Sequence, residues 1–259
     1  MDFTPNTVDW TEVAEPLAGP PQCVLEDEVV AKTIEDHSYL FKIVTPIQVE
    51  VFESYLRSHP NPAFVSSVFR GLREGFWPWA NTSKPGYPSV NNASRPPPTD
   101  EGKANFLRRQ HDVEVEKGRF SPPLKHDLLP GMYSMPIYVV PKPNSTDYQL
   151  VTDQSHGKHS LNSMIQHNKV TGYPLGNMVH FGEMLMDLEK RGPTRNRIAW
   201  KSDIAEAYQI LPMHPHWQIK QVNTVDGEHY VDCCNAFGGC ASGALFTQDG
   251  KLHCSDQDA

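Results

Sequence analysis

No stretch of this sequence comes near the roughly 18 consecutive apolar residues that a membrane-spanning helix requires. Its first residues, Met1-Asp2-Phe3-Thr4-Pro5, have neither the basic head nor the apolar run of a secretory signal. A soluble, intracellular chain is therefore expected, cytoplasmic or nuclear, with no membrane partner. Cysteine is scarce: Cys23, Cys233, Cys234, Cys240 and Cys254 make an odd count of 5 with one adjacent pair. That is a poor basis for a disulfide framework and fits a reducing compartment better. Positive charge is in deficit too, with 23 Lys and Arg against 31 Asp and Glu. The resulting net of −8 argues, at first sight, against a nucleic-acid partner.

The deficit is local. Residues 1–60 hold 11 acidic and 3 basic side chains, whereas the other 199 residues hold 20 of each. With Glu26-Asp27-Glu28, several prolines and little periodicity, residues 1–40 read as a poorly ordered acidic leader, a solvated extension or a docking segment. The 23 prolines in 259 residues, about 9% where about 5% is usual, predict long loops rather than a helical bundle.

Over residues 41–80 the pattern turns helical. Phe52, Tyr55 and Leu56 recur at helical spacing, and Phe64, Val65, Val68, Phe69 and Leu72 repeat it after Pro60-Asn61-Pro62. Trp77 and Trp79 read as a buried anchor behind the second helix. Residues 81–98, rich in Pro, Ser, Asn and Gly, read as a linker or a loop wrapped on a surface. A third helix is expected from Thr99-Asp100-Glu101 to a capping Gly118, with a mostly charged face.

From residue 99 to 246 strands enter. Met135–Val140 and Tyr148–Thr152 flank turn-forming residues and predict a β-hairpin with Lys142 near its tip, solvated or able to meet a phosphate. Met178, Phe181, Met184, Leu185 and Leu188 mark one face of a helix over 177–190, expected to lie in the core. Ile198–Ser202 reads as a short buried strand delivering Asp203, and Asp226-Gly227 sits between two further strands as a hairpin turn. Taken alone, Asp203 suits a helix N-cap or a divalent-metal ligand. A zinc site from Cys233 or Cys234 with Cys240, His253 and Cys254 departs from the usual CxxC spacing. His156, His159, His214 and His216 read as loop residues.

These motifs in this order resemble the reverse transcriptases of retroelements, most closely those of tyrosine-recombinase-bearing retrotransposons. Tyr133–Lys142 is similar to the first fingers strand, and Leu150-Val151-Thr152-Asp153 with Leu161-Asn162 to the second strand and the "LN" after it. Ser202-Asp203-Ile204-Ala205-Glu206-Ala207-Tyr208-Gln209-Ile210-Leu211-Pro212 resembles the first palm motif. Asn235 to Ser242 resembles the template-gripping motif. The resemblance implies an α+β fold: a partial right-hand polymerase, fingers and incomplete palm, preceded by short helices and a disordered leader. It implies Asp203 as the catalytic, Mg²⁺-binding carboxylate. Lys142, Gln149 and Tyr208 would meet the incoming dNTP, Tyr208 excluding a 2′-hydroxyl by collision. Phe237, Gly238, Gly239 and Ser242 would touch an RNA or DNA template-primer.

The departures are as specific as the matches. Gln149 stands where the family has a triphosphate-binding arginine and cannot make a bidentate guanidinium contact. Gly243 stands where a proline follows the serine. No Tyr-x-Asp-Asp, which supplies the remaining catalytic aspartates, occurs in the 259 residues, and residues 247–259 form a polar tail unlike the family's continuation. Two-metal nucleotidyl transfer needs several converging carboxylates, and one binds Mg²⁺ weakly. The expectation is a truncated, poorly soluble fragment without polymerase activity, the alternative a non-catalytic protein- or nucleic-acid-interaction module.

Overall fold

The structure, a computed structural model, describes residues 8–125, 127–143, 145–170, 178–192 and 204–247. It is a mixed α+β arrangement in which helices and long irregular segments surround a four-stranded sheet and a separate hairpin.

The first 40 residues depart from the expected poorly ordered leader. From Val8 onward they form α1 (Val8–Val13), α2 (Gln22–Leu25), α3 (Glu28–Asp36) and a 3₁₀ turn, Ser38–Leu40. Asp27 caps α3 by accepting from the Val30 amide at 3.2 Å. Val24, Val30 and Leu40 are buried. Polar ties add to this: the Leu17 amide donates to Ser67 Oγ at 2.8 Å, and Thr33 Oγ1 donates to the Pro130 carbonyl at 2.9 Å. The leader's apolar residues are too sparse to show periodicity, but each meets a surface made by later sequence.

Helix α4 (Val49–Tyr55) buries Phe52 and leaves Tyr55 exposed. Helix α5 (Pro62–Glu74) starts where Asn61 Oδ1 accepts from the Phe64 amide at 3.1 Å, with Pro62 in the first turn. It ends at Gly75, whose φ of 95° suits glycine. Its apolar face joins Trp77, Tyr133, Leu161, Leu211 and Trp217 in the largest core cluster. Residues 81–98 run across this core and contribute β1 (Asn91–Asn92), the sheet's edge.

Helix α6 (Glu101–Glu116) begins with Asp100 accepting from the Lys103 amide at 2.8 Å, and the chain leaves it through Gly118 at φ 70°. Strand β2 (Tyr133–Ser134) lies parallel to β1 and to β5 (Val222–Val225). Strand β5 turns through Asp226 (φ 51°) and Gly227 (φ 89°) into antiparallel β6 (Glu228–Val231). Positive φ at both turn residues is what an Asp-Gly hairpin supplies. The predicted fingers-like hairpin is β3 (Ile137–Pro141) against β4 (Tyr148–Thr152), with Val139 opposite Leu150. A 3₁₀ turn, Asn162–Met164, follows.

Helix α7 (Met178–Arg191) forms as the periodicity predicts, but its stripe is not core. Phe181, Met184, Leu185 and Leu188 are 43, 43, 42 and 39% exposed. Periodicity reports an apolar face, not whether anything covers it. Helix α8 (Pro215–Gln218) and a helical segment over 242–247 complete the elements. Among the described residues no helix is long and apolar enough to cross a membrane. The expected strand over 198–202, Asp203 and the polar tail from 248 lie outside the described residues.

Candidate functional site

Three segments far apart in sequence converge beside the β3–β4 hairpin. The first is the hairpin itself, where the Lys142 amide donates to the Asp147 carbonyl at 2.8 Å, and Val140 pairs with Gln149. Lys142 and Gln149 are both exposed. They line a cavity of about 300 Å³ whose other walls include Glu206, Gln209, Asp232 and Phe237.

The second segment is the loop 235–242, shaped by hydrogen bonds from elsewhere. The Thr152 amide donates to the Phe237 carbonyl at 3.3 Å. Asn162 Nδ2 donates to the Gly238 carbonyl at 2.9 Å and to Ser155 Oγ at 2.8 Å, while its Oδ1 accepts from the Cys240 amide at 2.8 Å. Gly238 has φ 108°, and a Cβ there would stand 1.9 Å from the Thr152 carbonyl oxygen. Only glycine satisfies both constraints. At Gly239 a Cβ would come within 2.5 Å of Ser242 Oγ. The Ser242 hydroxyl is buried and donates to the Ala236 carbonyl at 2.8 Å, so it closes the loop from inside.

The third segment is the turn 204–211. It brings the Tyr208 ring to 4.8 Å from Phe237 at 54°, and to 5.7 Å from Phe246 at 77°. Tilted and edge-on contacts of this kind suit aromatic quadrupoles. Phe237 remains 42% exposed at the cavity.

The electrostatics are dominated by a chain of ion pairs. Arg119, 4% exposed, places Nε 2.6 Å from Glu114 Oε2 and Nη1 2.8 Å from Glu206 Oε2, and Lys117 Nζ donates to Glu206 Oε1. Hydrogen bonds from Arg119 and Lys117 pull the Glu206 carboxyl down to about 2. Glu206 itself has φ 58°, an uncommon conformation for a side-chain-bearing residue, held by these pairs. Asp232 behaves oppositely. Burial pushes its carboxyl up to about 7, although Oδ1 accepts from the Cys234 amide at 3.1 Å and Oδ2 from Asn223 Nδ2 at 3.4 Å.

The structure thus brings together Lys142, Gln149 and Phe237 on one cavity, with Tyr208 behind Phe237 and Gly238, Gly239 and Ser242 forming the loop that carries it. Asp203 lies outside the described residues. Among the described residues, no group of three or more His, Cys, Asp or Glu could hold a metal ion. The Cys233 and Cys234 thiols are buried and donate to the Leu40 and Val44 carbonyls. Burial raises both, Cys233 to about 12, which opposes the thiolate form zinc needs. His253 and Cys254 lie outside the described residues. Sequence reasoning assigns no role to Asn162, Arg119, Glu206 or Asp232. Glu206 and Asn162 do lie within family-like motifs, but nothing local marks Asp232 as buried or Arg119 as paired.

No family model and no curated protein matches the chain. The solved structures it is similar to are foamy viral protease-reverse transcriptases. With the one in complex with an RNA/DNA hybrid the TM-score is 0.44 at 16% identity, covering 92% of this chain and 27% of that one. With a complex with dsDNA it is 0.43 at 16%, covering 92% and 42%. With the dRH form in complex with ds DNA it is 0.40 at 17%, covering 80% and 35%. The chain spans less than half the length of each of these structures.

Proposed function

We propose that these residues are the fingers and part of the palm of a retroelement-derived, reverse-transcriptase-like chain, closest in its motifs to the tyrosine-recombinase-bearing type. In this reading the segment holds a nucleic-acid template-primer rather than completing polymerisation. The observation that carries it is the convergence on one cavity of Lys142, Gln149 and Phe237, the residues that the motif order assigns to nucleotide and template. An exposed phenyl ring held on a rigid loop can stack an unpaired base, and a lysine on a hairpin tip can meet a phosphate. Gln149 offers a neutral amide, and Glu206 and Asp232 on the walls disfavour a triphosphate inside the cavity. Mg²⁺ would be held at Asp203 only together with carboxylates that these 259 residues do not contain as Tyr-x-Asp-Asp.

Fluorescence anisotropy with a labelled RNA/DNA template-primer tests this. Phe237→Ala should weaken binding by about 5- to 100-fold, the worth of one stacked base, and Asp203→Asn should leave binding unchanged. Equal binding by the Phe237→Ala chain would remove the template role. Mg²⁺-dependent primer extension by the wild-type chain, lost in Asp203→Asn, would show that the residues are catalytically sufficient after all. A second reading, a non-catalytic module for a protein partner, is favoured by the exposed Phe181, Met184 and Leu185 on α7.

A further inference from the structure

A second cavity, of about 240 Å³, lies away from the hairpin, between residues 17–20 of the leader, α5 and the run after Gly75. One side is apolar, formed by Leu17, Leu25, Phe76 and Leu245. The other side carries donors. Arg70 lines it with Nη2 donating to the Leu17 carbonyl at 2.5 Å, and the site of a Gly19 Cβ is 3.8 Å from the guanidinium carbon. Among the described residues no carboxylate pairs with Arg70, whereas Arg73, one turn on, is paired with Glu53 at 2.5 Å.

Trp77 also lines the cavity. It is 2% exposed, and its Nε1 has no hydrogen-bond partner among the described residues. An unpaired buried N–H costs about 1–3 kcal/mol, so a group of this kind calls for something to bind it. His214 supplies a third donor. Its Nδ1 accepts from the His216 amide at 3.2 Å, which in the neutral ring leaves the proton on Nε2. Burial and the neighbouring His216 keep that ring neutral, with its pKa pulled down to about 4. Glu74 is the one lining residue with a carboxylate, and it is exposed.

We propose that this cavity binds a small organic monocarboxylate, its apolar body on Leu17, Leu25 and Phe76 and its carboxylate against Arg70 and the Trp77 indole N–H. A guanidinium without a protein counterion next to an unsatisfied indole N–H fits the two oxygens of a carboxylate. A single cation would leave a phosphate monoester or a diacid undercompensated, and a cation would meet Arg70. The apolar wall selects an acid with a hydrocarbon or aryl body over acetate.

Titration of the full chain with 3-phenylpropionate, followed by the indole N–H signals in ¹H–¹⁵N spectra, tests the proposal, with the Trp77 signal identified as the one absent in Trp77→Phe. That signal should move saturably, while the methyl ester of the acid leaves it in place. Arg70→Gln should weaken binding by about tenfold, and Arg70→Lys by less, because Arg70 is exposed and both variants keep the fold. Absence of a saturable shift at concentrations on the order of 10 mM would overturn the proposal. So would an equal response to the ester, or Arg70→Gln binding as tightly as wild type.

Discussion

The side-chain amide of Asn162 donates to the Gly238 carbonyl at 2.9 Å, while its oxygen accepts from the Cys240 amide at 2.8 Å. A single residue beyond the hairpin thus fixes both ends of the turn on which Phe237 is presented, and what Phe237 can stack depends on a side chain from a different segment.

Asn162→Ala removes three side-chain hydrogen bonds at once, and a loss of about 1–3 kcal/mol in denaturant unfolding is expected. Hydrogen exchange should speed up at the Cys240 amide, which loses its acceptor. Unchanged exchange there would mean that the loop holds itself.

Two glycines separate backbone strain from collision. At Gly157 (φ 73°) an added Cβ would meet nothing within 4 Å, whereas at Gly238 (φ 108°) it would stand 1.9 Å from the Thr152 carbonyl oxygen. Gly157→Ala should cost about 1 kcal/mol, the conformational cost alone. Gly238→Ala should cost about 3 kcal/mol or more, because backbone must move as well, and should weaken template-primer binding in parallel. Equal thermal stability of the two variants would contradict the placement of the loop.

Glu206→Gln tests the ion-pair chain through pH. The folded-state carboxyl is held near 2, below its ordinary 4.5, so its contribution is present above about 4.5 and is lost as pH falls toward 2. With Glu206 39% exposed, solvent screening reduces the expected effect to about 1 kcal/mol at neutral pH. The variant and wild type should converge in stability near pH 2. A difference that persists there would point to packing rather than charge.

Asp232→Asn should act with the opposite sign. A carboxyl raised to about 7 by burial keeps its proton in the folded chain while the unfolded chain releases it above about 3.8. Folding is therefore opposed increasingly as pH rises between those values. The variant should be more stable than wild type at pH 8, by about 2–4 kcal/mol, and nearly equal to it at pH 4. Destabilisation at both pH values would mean that the charged form is needed by Arg119 or Asn223.

The hairpins and helix boundaries are legible in the sequence because their signals sit within a few residues of one another. Asp226-Gly227 sets its own turn, and Asp100 and Gly118 bracket α6 by capping the backbone next to them. The leader is not legible, since Val24, Val30 and Leu40 form no pattern among themselves and are buried only because later segments supply the opposite surface. The α7 stripe misleads in the other direction: periodicity draws a face, and Phe181 and Met184 on it remain exposed.

By itself the sequence determined the α+β mixture, the two hairpins, the order of the polymerase-like motifs and the absence of Tyr-x-Asp-Asp, all properties of neighbouring residues or of counting. Only the tertiary structure decided that Asn162 clamps the Phe237 loop, that Glu206 is held by Lys117 and Arg119, and that Asp232 is buried. Hydrogen bonding and desolvation act through space, and the partners here are separated by up to 89 positions in the chain.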